Sequence, residues 1–258
     1  MIHSVKEIYL TSYSLTQTCH SLYIRGYRGT TFSDWLGHAS YHNMTQLKLD
    51  RCNYCCLLPS LGRVPSLKRL YIRGLGGLVT IGQDFYKNDD NSSLTTLFPS
   101  LEDLSFSDMP VWEEWSSFEG VQGDVFPRLR TLHLRNCPRL ISDLPNHLPP
   151  LEYLYIGECP NLVSSLPRSP AIKLLGIESC ESLKLSQHPE QEELPRSVRS
   201  LNIGGSVLVK SVFEAMAIYN NDFTTCLEKL SIIFLFLCHI ISWRLSTRFI
   251  ESTGNIPV

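Results

Sequence analysis

The sequence lacks a membrane-length apolar run, a strong excess of charge and a lysine-bearing glycine loop. Its only long apolar stretch, Ile232–Ile241, is too short to span a bilayer, which needs roughly 20 residues. The formal net charge of −2 gives no general attraction to nucleic acid or anionic membrane. No Gly-x-x-x-x-Gly-Lys-Ser/Thr motif occurs, and Gly74-Leu-Gly-Gly77 lacks the lysine of a phosphate site. We therefore expect no nucleic-acid partner, no stable membrane insertion and no cofactor.

The cysteines are too scattered for a secreted disulfide scaffold. Nine of them run from Cys19 to Cys238, an odd number in a chain longer than such scaffolds usually are. The first residues hold no apolar run of roughly 7–15 residues, so they do not resemble a signal peptide. We expect a soluble, cytoplasmic protein in a reducing compartment.

A short apolar pattern recurs along most of the chain. It consists of an apolar residue, two others, an apolar residue, one other and a third apolar residue. The copies begin at Cys19, Met44, Leu67, Leu101, Leu129, Leu151, Ile172, Val198 and Leu227. Successive starts are 25, 23, 34, 28, 22, 21, 26 and 29 residues apart, mostly within the roughly 20–29-residue period of leucine-rich repeats. The alternating apolar residues that end the pattern predict a strand.

These repeats predict an α/β repeat solenoid in the form of a leucine-rich-repeat horseshoe. One repeat cannot bury its own apolar residues, so the repeats must stack, with a parallel sheet on the concave face. Prolines after the strands favour irregular or 3-10 segments on the convex side. We divide the chain into a non-repeat segment at 1–18, about nine repeats at 19–232 with an insertion near 76–98, and a divergent tail, apolar and then polar, at 233–258.

Four cysteines share one position in the repeat. Each lies eight residues after the first apolar residue of its copy: Cys52, Cys137, Cys159 and Cys180. A small side chain that can be buried and act as a weak donor suits the turn that follows a strand. We therefore interpret these four as structural turn cysteines. Zinc binding by Cys52, Cys55 and Cys56 is disfavoured, because no second Cys-x-x-Cys pair supplies the remaining ligands.

Several ordered segments resemble one family, the plant nucleotide-binding, leucine-rich-repeat disease-resistance proteins of the coiled-coil class. Leu57–Leu70 resembles the segment "LPxLGxLPSLKxL" of that family, and Gly77–Tyr86 resembles its "GVxxIGxEFY" stretch. Phe98–Trp115 resembles "FPSLExLxFxxMPxWEEW". Tyr27–Gly37 is similar to "YxGxxFPxWLG", with Ser33 where proline is usual. The resemblance covers residues 19–204.

The resemblance implies the recognition region of an intracellular immune receptor. Such a region contacts pathogen-derived or host proteins in the defence response, and it also packs on a nucleotide-binding switch domain and restrains it. That switch has no counterpart in this sequence, so nucleotide binding is not carried over. The alternative is a stand-alone repeat scaffold or adaptor, or a truncated receptor without signalling activity, and the apolar start of the tail favours truncation or a mis-joined gene.

The polar residues between the buried apolar ones are expected to point from the concave face. Tyrosine and arginine are enriched in the energetic centres of protein interfaces. The best candidate for binding is a patch formed by Tyr23, Arg25, Arg69, Tyr71 and Arg73. The wider candidate set adds Lys48, His133, Arg135, Tyr153 and Tyr155. An equally weighted alternative is that these are solvated strand residues, which need only be polar.

Two further interpretations concern the tryptophans and catalysis. Trp112 and Trp115 are expected to cover the convex edge of the core while the two glutamates between them stay in water. No nucleophile elbow or other catalytic motif appears, so we do not expect an enzyme. Turnover that depends on a concave residue such as His133 would be needed to reverse that expectation.

Overall fold

The strands form where the sequence pattern places them. In a computed structural model, the residues that can be described are 19–32, 36, 41–86, 96–116, 124–183, 197–205, 227–234 and 239–244. Nine of the strands each carry one copy of the repeat: β1 (Ser21–Arg25), β2 (Gln46–Asp50), β3 (Arg69–Arg73), β5 (Asp103–Ser107), β7 (Thr131–Arg135), β8 (Tyr153–Gly157), β9 (Leu174–Glu178), β10 (Ser200–Gly204) and β11 (Lys229–Phe234). The predicted non-repeat segment at 1–18 lies outside the described residues.

These nine strands pair in parallel and in the order of the repeats. Leu47 is aligned with Leu70, Leu104 with Leu132, and Ile156 with Ile177. The alternation that the sequence shows is therefore stacked into two apolar columns on one face of the sheet, and nearly all of these side chains are buried. Burial of such columns, at roughly 25 cal/mol per Å², stabilises the stack. The predicted leucine-rich-repeat solenoid with its parallel sheet is confirmed.

A left-handed residue follows each of the eight strands that precede β11 in this parallel series. Its φ is positive in every case: Gly26, Arg51, Gly74, Asp108, Asn136, Glu158, Ser179 and Gly205. The amide of each of the first seven donates a hydrogen bond to the last strand residue of the next repeat, for example from Arg51 to Arg73 at 2.8 Å. The chain thus turns away from the sheet without interrupting the backbone ladder.

The segments that return along the convex side are mostly irregular. Among the described residues, a 3-10 helix spans Gln83–Phe85, and two short strands, β4 (Thr80–Ile81) and β6 (Glu114–Trp115), pair in parallel. Part of the predicted insertion therefore belongs to the packed structure, because Phe85 and Tyr86 are buried. Residues 87–95, also within that insertion, lie outside the described part.

Aromatic side chains fill the space between these return segments and the sheet. Trp112 and Trp115 are 0% and 3% exposed, which confirms that they cover the core. The Trp115 ring lies 5.3 Å from that of Phe106 and 5.8 Å from that of Trp112. Glu114 is exposed, and Glu113 lies 3.5 Å from Arg139.

The sheet does not end at the last repeat. Strand β11 extends to Phe234, and β12 (His239–Arg244) pairs with it in the antiparallel sense. The sequence pattern predicts a divergent tail from residue 233 and does not predict this strand. The described part of the sheet thus consists of nine parallel strands followed by one antiparallel strand.

Candidate protein-binding face of the sheet

All ten predicted binding residues lie on strands of the main sheet. They project from the face opposite the apolar columns, because side chains alternate between the two faces of a strand. Strands β1, β2 and β3 carry Tyr23, Arg25, Lys48, Arg69, Tyr71 and Arg73, and strands β7 and β8 carry His133, Arg135, Tyr153 and Tyr155. Strand β5 separates the two sets and presents the smaller side chains Asp103, Ser105 and Ser107.

The first set is organised around Asp50 on β2. The Tyr23 hydroxyl donates to its carboxylate at 2.7 Å, and the Arg25 guanidinium lies 3.4 Å from the same oxygen. The Lys48 ammonium lies 5.1 Å from the centre of the Tyr23 ring, within the range of a cation–π contact. Hydrogen bonding to Asp50 and some desolvation raise the pKa of Tyr23. Tyr23 is thereby held in place although it is 51% exposed.

Asp50 itself was not among the predicted site residues. It is the only charged residue that is buried in the described part of the chain, at 6% exposure. One carboxylate oxygen accepts the hydrogen bond from Tyr23 and forms the ion pair with Arg25, and the other has no hydrogen-bond partner among the described residues. In the register of the sheet, Asp50 lies between Arg25 of β1 and Arg73 of β3. This position between two arginines is the sequence feature that could have indicated it.

The three residues on β3 differ in their surroundings. The Arg73 guanidinium donates to Asp108 at 2.7 Å, and Asn136 donates to the other oxygen of that carboxylate at 2.8 Å. The bonds from Asn136 and Arg73 lower the pKa of Asp108. Arg69 is exposed and has no ion pair among the described residues. Tyr71 is half-buried between the two arginines of its strand. Of the two arginines on β3, Arg69 is therefore the one whose charge is available to a partner.

The second set contains a stacked pair of rings. The His133 and Tyr155 rings are 4.6 Å apart and nearly parallel. Burial, together with the nearby Arg135, lowers the pKa of His133, so the imidazole is neutral at pH 7. Desolvation and the charge of Glu178 raise the pKa of Tyr155 to about 12, and its hydroxyl donates to Glu178 at 3.1 Å.

Two glycines shape the place that the Tyr155 ring occupies. A Cβ atom added at Gly176 would lie 2.8 Å from the ring, and one added at Gly157 would lie 2.6 Å from the hydroxyl oxygen. The ring therefore lies flat across β8 and β9 where neighbouring side chains are missing. Asn202 donates to Glu178 at 3.2 Å. Glu178 was not among the predicted binding residues. Its place as the last residue of its strand, in the same column as Arg25, Arg73 and Arg135, was the sequence feature that could have indicated it.

An ion-pair ladder runs along the amino-terminal ends of the strands. It consists of residues that directly precede a strand: Lys68 with Glu102 at 3.5 Å, Glu152 with Lys173 at 3.0 Å, and Arg199 with Glu228 at 3.4 Å. The Lys173 ammonium lowers the pKa of Glu152. Sequence reasoning did not identify this ladder. The charged residue at the second position of each of the last seven repeats was the feature that could have revealed it.

The four turn cysteines lie beneath the carboxyl-terminal ends of the strands. Each is fully buried, and its sulfur lies 3.2–3.6 Å from the carbonyl oxygen two residues before it: Asp50, Arg135, Gly157 and Glu178. The neighbouring Cys137 thiol raises the pKa of Cys159 to about 12, with burial adding to the effect. No group of three or more metal-ligating side chains suited to hold an ion occurs among the described residues.

Comparisons with known proteins bear on the same repeats. The family described as R13L1/DRL21 LRRs matches residues 3–75, starting before the predicted first repeat. An Arabidopsis thaliana protein named as a disease resistance RPP13-like protein is 42% identical over 132 residues, which is 50% of this chain and 12% of that protein. A second Arabidopsis thaliana protein, also named for disease resistance, is 39% identical over 126 residues, 49% of this chain and 9% of its own length.

The chain thus spans about a tenth of the length of these two relatives. No solved structure matches it. In the described residues, no helix has the length and apolar character that crossing a membrane requires. The order of the repeats shows a leucine-rich-repeat solenoid, and the family match and the two relatives show that part of this chain is similar to the R13L1/DRL21 leucine-rich repeats and to plant proteins named for disease resistance.

Proposed function

We propose that this chain binds protein through the concave face of its sheet and takes part in plant defence without catalysing a reaction. Its partner is a pathogen-derived or host protein. In a receptor that also holds a nucleotide-binding switch domain, the same face would contact that domain and restrain it. The two relatives named for disease resistance support the setting, and we expect the protein to act in the cytoplasm.

The observation that carries this proposal is the arrangement of tyrosine and arginine on β1–β3. Tyr23, Arg25 and Arg73 are each fixed by a carboxylate of a neighbouring repeat. Side chains that are held before binding lose less conformational entropy when a partner arrives. Tyrosine and arginine supply large contact areas with polar ends. A merely solvated strand face would need polar side chains but would not need them to be fixed.

A paired charge reversal tests this proposal. We expect Arg69→Glu combined with Arg73→Glu to weaken partner binding at least tenfold, about 1.4 kcal/mol, because two cations of the face become anions. Partners would be collected in leaf tissue by proximity labelling and then measured as purified proteins by calorimetry. The matched control is Arg139→Glu with Arg168→Glu, two exposed arginines on the return segments; Arg139 is ion-paired, and Arg168 has no ion pair among the described residues.

The control keeps the change in net charge equal between the two double variants. Unchanged affinity in the β3 variant, or an equal loss in the control, would remove this face from consideration. The alternative of a repeat scaffold predicts the same loss of affinity. It differs in that no defence output follows when the chain is expressed with its partner in leaves.

A further inference from the structure

A groove runs along the amino-terminal ends of six strands of the sheet, next to the ion-pair ladder. Its volume is about 740 Å³, within the range of roughly 300–1,000 Å³ that ligand sites show. One residue from each of six adjacent strands lines it: Asp103, Thr131, Tyr153, Leu174, Ser200 and Lys229. Tyr153 is the one member of this row that the sequence analysis placed among its binding residues.

The length of the groove matches an extended segment. Six adjacent strands at about 4.8 Å spacing give it a length of about 24 Å, which about seven residues of an extended chain span.

An apolar pair lies at the centre of the groove. Tyr153 and Leu174 are direct neighbours in the register of β8 and β9, and Leu174 is 43% exposed. Leu174 is the only aliphatic side chain in this row. The ion pairs Glu152–Lys173 and Arg199–Glu228 flank it along one side. An exposed apolar centre with a polar rim is the arrangement that energetic centres of interfaces show.

The charges of the groove without an ion pair among the described residues are a cation on each side of this apolar pair and the anion Asp103 at the β5 end. Arg130, one strand before Tyr153, and Lys229, two strands after Leu174, line the groove and form no ion pair within the described residues. The other basic residues of the groove, Lys173 and Arg199, are already paired with glutamates. Charge complementarity therefore favours a ligand with acidic residues flanking an apolar one.

We propose that this groove binds an extended protein segment whose apolar side chain sits between Tyr153 and Leu174, with an acidic residue on either side. The inference rests on the proposed protein-binding function and names the chemistry of its ligand. At about 3.4 Å per extended residue, the acid that meets Arg130 lies about two residues from the apolar position. The acid that meets Lys229 lies about three or four residues away in the other direction.

A random peptide library provides the probe. Displayed peptides of about twelve residues, long enough to span the groove, would be selected on the chain, and the enriched ones synthesised and measured by fluorescence polarisation. We expect them to share the acidic–apolar–acidic spacing. Leu174→Glu should weaken their binding at least tenfold, and Arg130→Glu or Lys229→Glu about three- to tenfold. Ile141→Glu and Arg168→Glu, which change exposed residues of the return segments, should leave binding unchanged.

The outcomes separate this inference from the proposed function. If peptide binding is unchanged by Leu174→Glu but is abolished by Arg69→Glu with Arg73→Glu, the groove is not the binding site. Protein binding through β1–β3 then remains supported. If none of the substitutions on the concave face changes peptide binding, both the groove and the proposed binding function are overturned. Failure to enrich any peptide would overturn the groove as a site for extended segments. Leu174→Ser, which removes the apolar contact without adding charge, replaces Leu174→Glu if circular dichroism shows that the latter does not fold.

Discussion

At the scale of single residues, the turn after each strand depends on a left-handed backbone. Gly74 holds this conformation with φ +66°, and a Cβ there would lie 3.3 Å from the Arg51 Cα. Gly74→Ala should lower the free energy of unfolding by about 1–2 kcal/mol, the usual cost of a left-handed non-glycine residue, as measured by urea denaturation. Gly82→Ala is the control, because Gly82 has φ −101° and nothing within 4 Å. An equal loss in both variants would refute the conformational argument.

Most of these turn positions could not be predicted from residue type. Glycine occupies three of the eight, whereas Arg51, Asp108, Asn136, Glu158 and Ser179 occupy the others. The backbone ladder, which fixes the amide of this residue, overrides the preference of the side chain. The repeat register did predict which tyrosines and arginines share a face. It could not predict their carboxylate partners, since some of these lie at the unrecognised turn position: Asp108, which pairs with Arg73, and Glu158, which pairs with Arg135 at 3.1 Å.

At the scale of elements, the two short strands of the convex side are joined through Tyr86 and Trp115. The Trp115 indole donates to the Tyr86 hydroxyl at 2.8 Å, and that hydroxyl donates to the Ser116 carbonyl at 3.1 Å. Burial raises the pKa of Tyr86 to about 12. An unfolded tyrosine titrates near 10, so the folded chain holds this proton more tightly. The resulting stability is fully present below about pH 10 and is lost as the pH rises to about 12.

Tyr86→Phe tests this effect of pH. The tyrosine contributes about 2–3 kcal/mol through its raised pKa, so the variant should lose less stability than the parent between pH 9 and 11.5. At neutral pH it should be less stable by about 1–2 kcal/mol, because the Trp115 N–H loses its acceptor. Urea denaturation across this pH range measures both. Parallel stability curves for the two proteins would show that Tyr86 does not ionise with a raised pKa.

Elements on the two sides of the solenoid differ in how well the sequence predicts them. The strands of the main sheet follow from a strict spacing of apolar residues, because every repeat must match the one beside it. The return segments carry no such spacing. The strands Thr80–Ile81 and Glu114–Trp115 therefore cannot be recognised from the sequence, because no repeated spacing of apolar residues marks them.

At the scale of the whole molecule, the repeats stack in one dimension, so the outermost strand would expose its backbone groups. Here β12 pairs along β11 in the antiparallel sense. The sequence after Ile232 predicts a divergent tail and not a strand, since antiparallel pairing needs no copy of the repeat. An unpaired edge strand is a template for association with other chains, and β12 occupies that edge in the described residues.

Removal of β12 should therefore promote self-association. In the full chain β12 is the edge strand of the described sheet and does not carry the repeat. We expect a chain truncated after Phe234 to sediment as larger species than the full chain at the same concentration, because the new edge strand, β11, carries the repeat and can pair in register with a second copy. Ser231→Lys in the truncated chain should reduce this association, since charged edge residues discourage pairing, and Ser231 lies on the partly exposed face of β11. Sedimentation velocity measures both variants. If the truncated chain sediments in proportion to its smaller mass alone, β12 does not protect the sheet.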